Sequence, residues 1–100
     1  FHNNCSGKHA GMLAFAKHMG VDPTDYIRKD HPVQEAILTQ IKEYIGLEEL
    51  STAIDGCSAP TPFLTLSLIA GMFQKLASGN YPELDRLFNA MSNHPYLIGG

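Results

Sequence analysis

Proline and glycine divide this chain into stretches of helical periodicity, and these breaks constrain its fold more than any other feature. Gly20 and Gly46 each follow a stretch in which apolar residues recur every three or four positions, as at helix C-termini. Pro32, Pro62 and Pro82 each open a later stretch, where the fixed φ of proline suits the first turn of a helix. The pattern predicts a mostly α fold with little sheet.

The predicted elements begin at a capping residue or a proline and end at a glycine or before a proline. They are a helix at about 7–19 capped by Ser6, a short helix at 24–29, a helix from Pro32 stopped by Gly46, a strand at 51–54, a turn-rich loop at 55–61, a helix from Pro62 to about Ala77 and a helix from Pro82 ending before His94-Pro95. The helix from Pro62 is apolar almost all round, which predicts burial on several sides.

Size and charge restrict the class of protein. One hundred residues, 44% of them apolar and 17% charged, make one small globular domain or part of a larger one. A net charge of -3 with no basic patch argues against nucleic acid as a partner. The longest apolar run, residues 66–73, is too short to span a membrane. Since the chain starts at Phe1 and ends on Gly99-Gly100, we expect a fragment.

The stretch Cys5-Ser6-Gly7-Lys8-His9 concentrates reactive side chains at the start of the first helix. Spacings of three and four place Cys5, Lys8 and His9 on one helical face. A helix N-terminus favours thiolate at Cys5. The same dipole disfavours the Lys8 cation, which must be solvated, paired with an anion or kept neutral.

Asp55-Gly56-Cys57 contains the second and last cysteine. Two thiolates with a nitrogen donor would make a zinc site with one open position. Cys57 could equally be a small buried apolar residue or bridge to Cys5, and Asp55 could orient a ligand or cap the turn. Among the histidines, those flanking the first motif are site candidates, whereas the others suit capping or surface roles: His2 and His9, against His18, His31 and His94.

Two long motifs resemble those of a known family. The stretch His2-Asn3-Asn4-Cys5-Ser6-Gly7-Lys8-His9-Ala10-Gly11-Met12-Leu13 resembles the first signature of the L-asparaginase II family, the rhizobial-type or class 3 asparaginases. Asp55-Gly56-Cys57-Ser58-Ala59-Pro60-Thr61-Pro62 resembles the second. His94-Pro95 with Gly99-Gly100 resembles a third, weaker stretch. One departure is Ser58, where the family more usually has glycine.

The resemblance implies a fold, an activity and a metal. The family is similar in fold to serine β-lactamases and penicillin-binding proteins, so residues 1–100 would be a central, mostly helical fragment of a larger α/β domain. The implied reaction converts L-asparagine to L-aspartate and ammonia, in a cytoplasmic homodimer. The family's catalytic Ser-x-x-Lys motif does not occur in this sequence, and the chain alone is expected to be inactive.

The implied site residues match the two motifs. Carried over position by position, the zinc ligands are Cys5, Lys8 and Cys57, with water completing the site. Asp55 would hold that water or the substrate, so Lys8 and Asp55 support catalysis. Two alternatives stay open: a cysteine-dependent hydrolase with Cys5 as nucleophile and Lys8 or His9 as base, and a helical interaction domain held by a disulfide.

Overall fold

The computed structural model describes residues 3–99, with side chains up to residue 98. The prediction of a mostly helical chain is confirmed. The elements are α1 (Ser6–Met19), α2 (Pro32–Ile45), β1 (Thr52–Ile54), β2 (Pro60–Pro62), α3 (Leu66–Leu76), α4 (Pro82–Asn93) and α5 (Pro95–Gly99). They belong to two compact units, one covering Asn3–Phe63 and one starting at Leu64.

Helix α1 begins one residue earlier than predicted. Cys5 occupies the N-cap position but makes no side-chain capping bond. Asn3 orders this end instead, since its side-chain oxygen accepts from the Cys5 N–H at 2.8 Å. The Ser6 hydroxyl donates back to the Asn3 carbonyl at 2.8 Å, so the prediction of Ser6 as N-cap is wrong. Gly20 ends the helix in the left-handed conformation, as predicted, with φ of 70°.

Helix α2 has the predicted bounds. The His31 side chain accepts from the Val33 N–H, Pro32 follows as the first helical residue and Gly46 ends the helix with φ of 71°. The predicted short helix at 24–29 is wrong, because this segment forms turns. Asp22 closes one of them by accepting from the backbone N–H of Thr24 at 2.9 Å.

Strands β1 and β2 form an antiparallel hairpin that pairs Thr52 with Pro62 and Ile54 with Pro60. The sequence predicted β1 but assigned β2 to a loop and a helix start, because proline seldom lies in strands. Backbone bonds flank the ladder at the 55/59 and 51/63 pairs. Hydrogen-bonded and non-hydrogen-bonded pairs alternate along an antiparallel ladder, so Pro60 and Pro62 both lie in non-hydrogen-bonded pairs. At these positions the missing N–H removes no bond between the two strands.

The unit that starts at Leu64 contains α3, α4 and α5. Helix α3 starts at Leu66, four residues later than predicted, and Thr65 caps it by accepting from the Leu68 N–H. No residue of α3 is buried, and Phe73 is 61% exposed, so the prediction of burial on several sides is wrong. Helix α4 has its predicted start at Pro82. Of the helices among residues 3–99, none combines the length and apolar character needed to cross a membrane.

The core of the first unit lies where α1, α2 and the hairpin meet. Its buried apolar residues are Met12, Ala16, Val33 and Ala59. The polar side chain of Gln34 is also buried, with 1% of its surface exposed. Gln34 donates to the Tyr26 carbonyl at 2.9 Å and approaches the Met12 sulfur at 3.3 Å, which offsets the cost of its burial. This packing joins the middle of α1 to α2 and to the end of the hairpin turn.

Candidate functional site

The two motifs singled out in the sequence meet in the folded chain. Cys5 and Lys8 come from the start of α1, and Asp55 and Cys57 from the turn between β1 and β2. The ligand atoms of Cys5, Asp55 and Cys57 all lie within 4.8 Å of one another. Lys8 Nζ donates to Asp55 Oδ2 at 2.7 Å. Four reactive side chains from opposite ends of the unit's sequence thus form one cluster.

The hairpin turn presents Asp55 and Cys57 through backbone bonds. The Asp55 N–H donates to the Ala59 carbonyl and the Ser58 N–H to the Asp55 carbonyl, each at 2.9 Å. Asp55 Oδ1 accepts from the Gly56 N–H at 2.7 Å, which leaves Oδ2 for other partners. The left-handed residue of this turn is Ser58, with φ of 69°. Asp55 therefore both caps the turn and faces the cluster.

Lys8 and Asp55 stabilise each other's charged form. The hydrogen bond from Lys8 lowers the pKa of Asp55, and the bond to Asp55 raises the pKa of Lys8. Their side chains are 37% and 40% exposed, so water screens the pair and its net contribution to stability is small. The sequence allowed Lys8 to be solvated, paired with an anion or kept neutral. In the structure it is an ammonium group paired with the Asp55 carboxylate.

The two thiols differ in acidity. The pKa of Cys57 is lowered to about 7, first by a hydrogen bond from the Ala59 backbone and then by one from the His9 side chain. The pKa of Cys5 is raised, chiefly because its thiol hydrogen-bonds with Cys57. At Cys5 the contact with Cys57 thus opposes the preference for thiolate that the helix N-terminus predicts. Both cysteines are free, and the disulfide alternative does not occur in this structure.

His9 is held beside the cluster by Tyr26. His9 Nδ1 and the Tyr26 hydroxyl lie 2.7 Å apart, and the two rings meet edge to face at an interplanar angle of 84°. Sequence reasoning missed Tyr26, because no motif links a tyrosine in a turn to a histidine 17 residues away. The other histidine candidate, His2, lies outside the described residues.

The remaining histidines have structural positions, as predicted. His18 is in the last turn of α1, where a basic side chain suits the helix dipole. His31 caps α2 and His94 is the C-cap residue of α4.

A cavity of about 450 Å³ borders the cluster on the side of Lys8. Its lining comes from α1, α2 and β2 and is mainly apolar, with Phe15, Ile37 and Ile41 among the lining residues. A small, charged substrate would gain little from such a surface. Its polar lining side chains are those of Lys8, Gln34 and Thr61.

Two thiols, a carboxylate and an amine within reach of one another are characteristic of enzymes that use a metal ion or covalent chemistry. Comparison with known families agrees with an enzyme: the L-asparaginase II family model matches residues 1–100. The chain therefore belongs to the L-asparaginase II family, a family of amidohydrolases. No individual curated protein matches the sequence.

Proposed function

We propose that this chain supplies a zinc site to an L-asparaginase that hydrolyses L-asparagine to L-aspartate and ammonia. The ligands are Cys5, Cys57 and Lys8, and Asp55 holds a water or substrate group beside them. The observation that carries the proposal is the convergence of Cys5, Asp55 and Cys57 within 4.8 Å, in a chain of this family.

The spacing of the donor atoms suits zinc. Two thiolate sulfurs bound at about 2.3 Å with tetrahedral angles lie about 3.8 Å apart. The Cys5 and Cys57 sulfurs already lie within 4.8 Å of each other, so only small rotations of these two side chains are needed. Thiolate and amine donors are also a ligand set that favours zinc over calcium or magnesium. The acidity of Cys57, with a pKa of about 7, supports metal binding near neutral pH.

Lys8 has to change its state to become a ligand. Its ammonium donates to Asp55 at 2.7 Å, and a ligand needs the neutral amine. To ligate a metal, Lys8 would have to lose a proton to solvent, and Asp55 Oδ2 would then be free of the ion pair. That carboxylate oxygen can then accept a hydrogen bond from a bound water or from the substrate amide.

Bound zinc would supply Lewis acidity that polarises or orients a substrate group. The acyl transfer itself requires a serine nucleophile with a lysine base, and no Ser-x-x-Lys motif occurs in this sequence. We therefore propose that other residues of the enzyme provide it. The β-lactamase-like fold, the homodimer and the cytoplasmic location are further proposals that depend on the family alone.

Zinc content of purified variants tests the ligand set. We expect about one zinc per chain in the unaltered protein and a loss of zinc in Cys5→Ala, Cys57→Ala and Lys8→Ala, measured by elemental analysis. Lys42→Ala is the matched control, because Lys42 lies in the last turn of α2 and outside the cluster. Zinc retained in Lys8→Ala and lost in Asp55→Ala would show that Asp55, not Lys8, is the third ligand.

The two alternatives predict different outcomes. If Cys5 is the nucleophile, alkylating it should prevent the substrate from acylating the intact enzyme. If Cys5 is a zinc ligand, alkylating it should release the metal, and the substrate should still acylate the serine. A structural disulfide predicts a mass two daltons lower under non-reducing conditions, because two thiol hydrogens are lost.

A further inference from the structure

Cys5 occupies the N-cap position of helix α1 without acting as its cap. An N-cap side chain ordinarily accepts a hydrogen bond from a backbone N–H in the first turn of the helix. The Cys5 thiol makes no such bond. Its sulfur lies within 4.8 Å of the ligand atoms of Asp55 and Cys57 instead. The side chain of Cys5 therefore serves the cluster, and another residue has to hold its backbone.

Asn3 is the residue that holds the backbone on both sides of Cys5. The Cys5 N–H, in the peptide group before the cysteine, donates to Asn3 Oδ1 at 2.8 Å. The Ser6 N–H, in the peptide group after it, donates to the Asn3 carbonyl at 3.0 Å. The Ser6 hydroxyl donates to the same carbonyl at 2.8 Å. Since the two flanking peptide planes define φ and ψ of Cys5, these bonds fix the direction of its Cα–Cβ bond.

Cys57 is presented by a turn of the same kind. The Ser58 N–H donates to the Asp55 carbonyl at 2.9 Å, just as the Ser6 N–H donates to the carbonyl of Asn3. Each cysteine is thus the third residue of a four-residue turn that begins with an asparagine or an aspartate. Asp55 also bonds to Lys8, so a change at Asp55 would alter the turn and the cluster together. A change at Asn3 alters the turn alone.

We propose that Asn3 is a positioning residue of the cysteine site and acts through Cys5. With both flanking peptide groups held, rotation about the Cα–Cβ bond is the motion by which the Cys5 sulfur reaches a metal. Partners that orient metal ligands typically change the affinity 10- to 100-fold when they are removed. The inference rests on the zinc site proposed above, in which Asn3 has no part.

Cobalt(II) titration tests this role, with zinc competition to obtain the zinc affinity. We expect Asn3→Ala to weaken binding about tenfold and to change the thiolate-to-cobalt charge-transfer band, because the Cys5 sulfur is less well oriented. Asn3→Asp keeps an oxygen in the same place and should bind at least as tightly as the unaltered protein. Asn4→Ala is the matched control, since it makes the same change at the next exposed residue, and it should alter neither quantity.

A second measurement needs no metal. Hydrogen exchange of the Cys5 amide reports its bond to Asn3, and we expect faster exchange in Asn3→Ala than in Asn3→Asp or the unaltered protein. Faster exchange with unchanged cobalt affinity and spectrum would mean that the turn serves only the helix end, and would overturn the inference. Unchanged exchange would also overturn it, because the bond would then be absent. If the unaltered protein binds neither zinc nor cobalt, the zinc site itself is overturned, and the inference with it.

Discussion

At the scale of single residues, Ser58 is the most strained position of the site. Its φ of 69° lies in the left-handed region, which costs a residue with a Cβ about 1–2 kcal/mol. The turn needs this conformation, because the Ser58 N–H donates back to the Asp55 carbonyl. Glycine, which has no Cβ, would adopt this conformation without that cost.

Replacing Ser58 by glycine should stabilise the protein. We expect the free energy of unfolding to rise by about 1 kcal/mol, because the strain relieved slightly exceeds the extra entropy of the unfolded glycine. Urea unfolding at neutral pH measures the change. Ser51→Gly is the control and should destabilise, since Ser51 has no positive φ to relieve. A urea midpoint that is unchanged or lower in Ser58→Gly would show that the backbone of Ser58 is not strained.

Asp22 makes the stability of the first unit dependent on pH. Its pKa is lowered, first by the hydrogen bond from the Thr24 backbone and then by the one from the Thr24 hydroxyl. A lowered folded-state pKa means that the charge contributes stability above the unfolded value of about 3.9, and that this contribution is lost as the pH falls through the folded value.

Asp22→Asn keeps an oxygen acceptor but removes the charge, so it should lower the urea midpoint at pH 6. The difference from the unaltered protein should shrink below pH about 4 and vanish in stronger acid. Asp85→Asn, in the first turn of α4, provides a comparison outside the turn that Asp22 closes. A midpoint difference for Asp22→Asn that is constant from pH 6 to pH 3 would contradict this origin.

The side chains of the cluster were predictable, but their interactions were not. Cys5, Lys8, Asp55 and Cys57 follow from reactive residue types in two motifs. The acidity of Cys57 depends on the Ala59 backbone and on His9, contacts that only the hairpin creates. Tyr26 was unpredictable for the same reason, since folding alone brings it to His9.

At the scale of elements, helix ends were predictable where one residue type decides them. Gly20, Gly46 and Pro82 mark the ends that the sequence indicated. The error came at Pro62, which could open a helix or occupy a strand. Pro62 lies in strand β2 because it pairs with Thr52. No pattern in the neighbouring sequence indicates this long-range contact. Thr65 then becomes the N-cap of α3.

Removing that cap should destabilise α3. We expect Thr65→Ala to cost about 1 kcal/mol, because the Leu68 N–H loses its acceptor at 3.3 Å. Thr65→Ser retains the hydroxyl and should cost little. Thermal unfolding followed by circular dichroism measures both. Equal losses in the two variants would show that the threonine methyl group, not the cap, matters.

At the scale of the whole molecule, the candidate site lies entirely within one of the two compact units. All its residues fall within Asn3–Phe63, and so does the buried core that supports it. Helices α3 and α4 expose large apolar side chains, with Leu87 55% exposed. A ligand of the cluster should therefore act on the stability of the first unit.

Zinc at 100 times its dissociation constant should add about 2.7 kcal/mol to the stability of that unit. Hydrogen exchange should slow in α1 and β1 and stay unchanged in α3 and α4. Cys57→Ala should abolish the effect. Equal slowing in both units would mean that they unfold together, and no slowing in α1 would argue against the zinc site.

The prolines of β2 also decide how the small sheet meets other chains. A strand at a sheet edge normally offers unpaired N–H groups to any extended peptide, which is a route to aggregation. In β2 the N–H of Thr61 faces β1, and the two outward positions are Pro60 and Pro62, which have no N–H. The β2 edge of this hairpin therefore offers no N–H donor to a third strand, whereas on the β1 edge the N–H groups of Thr52 and Ile54 point outward, so an added strand would have to pair with β1.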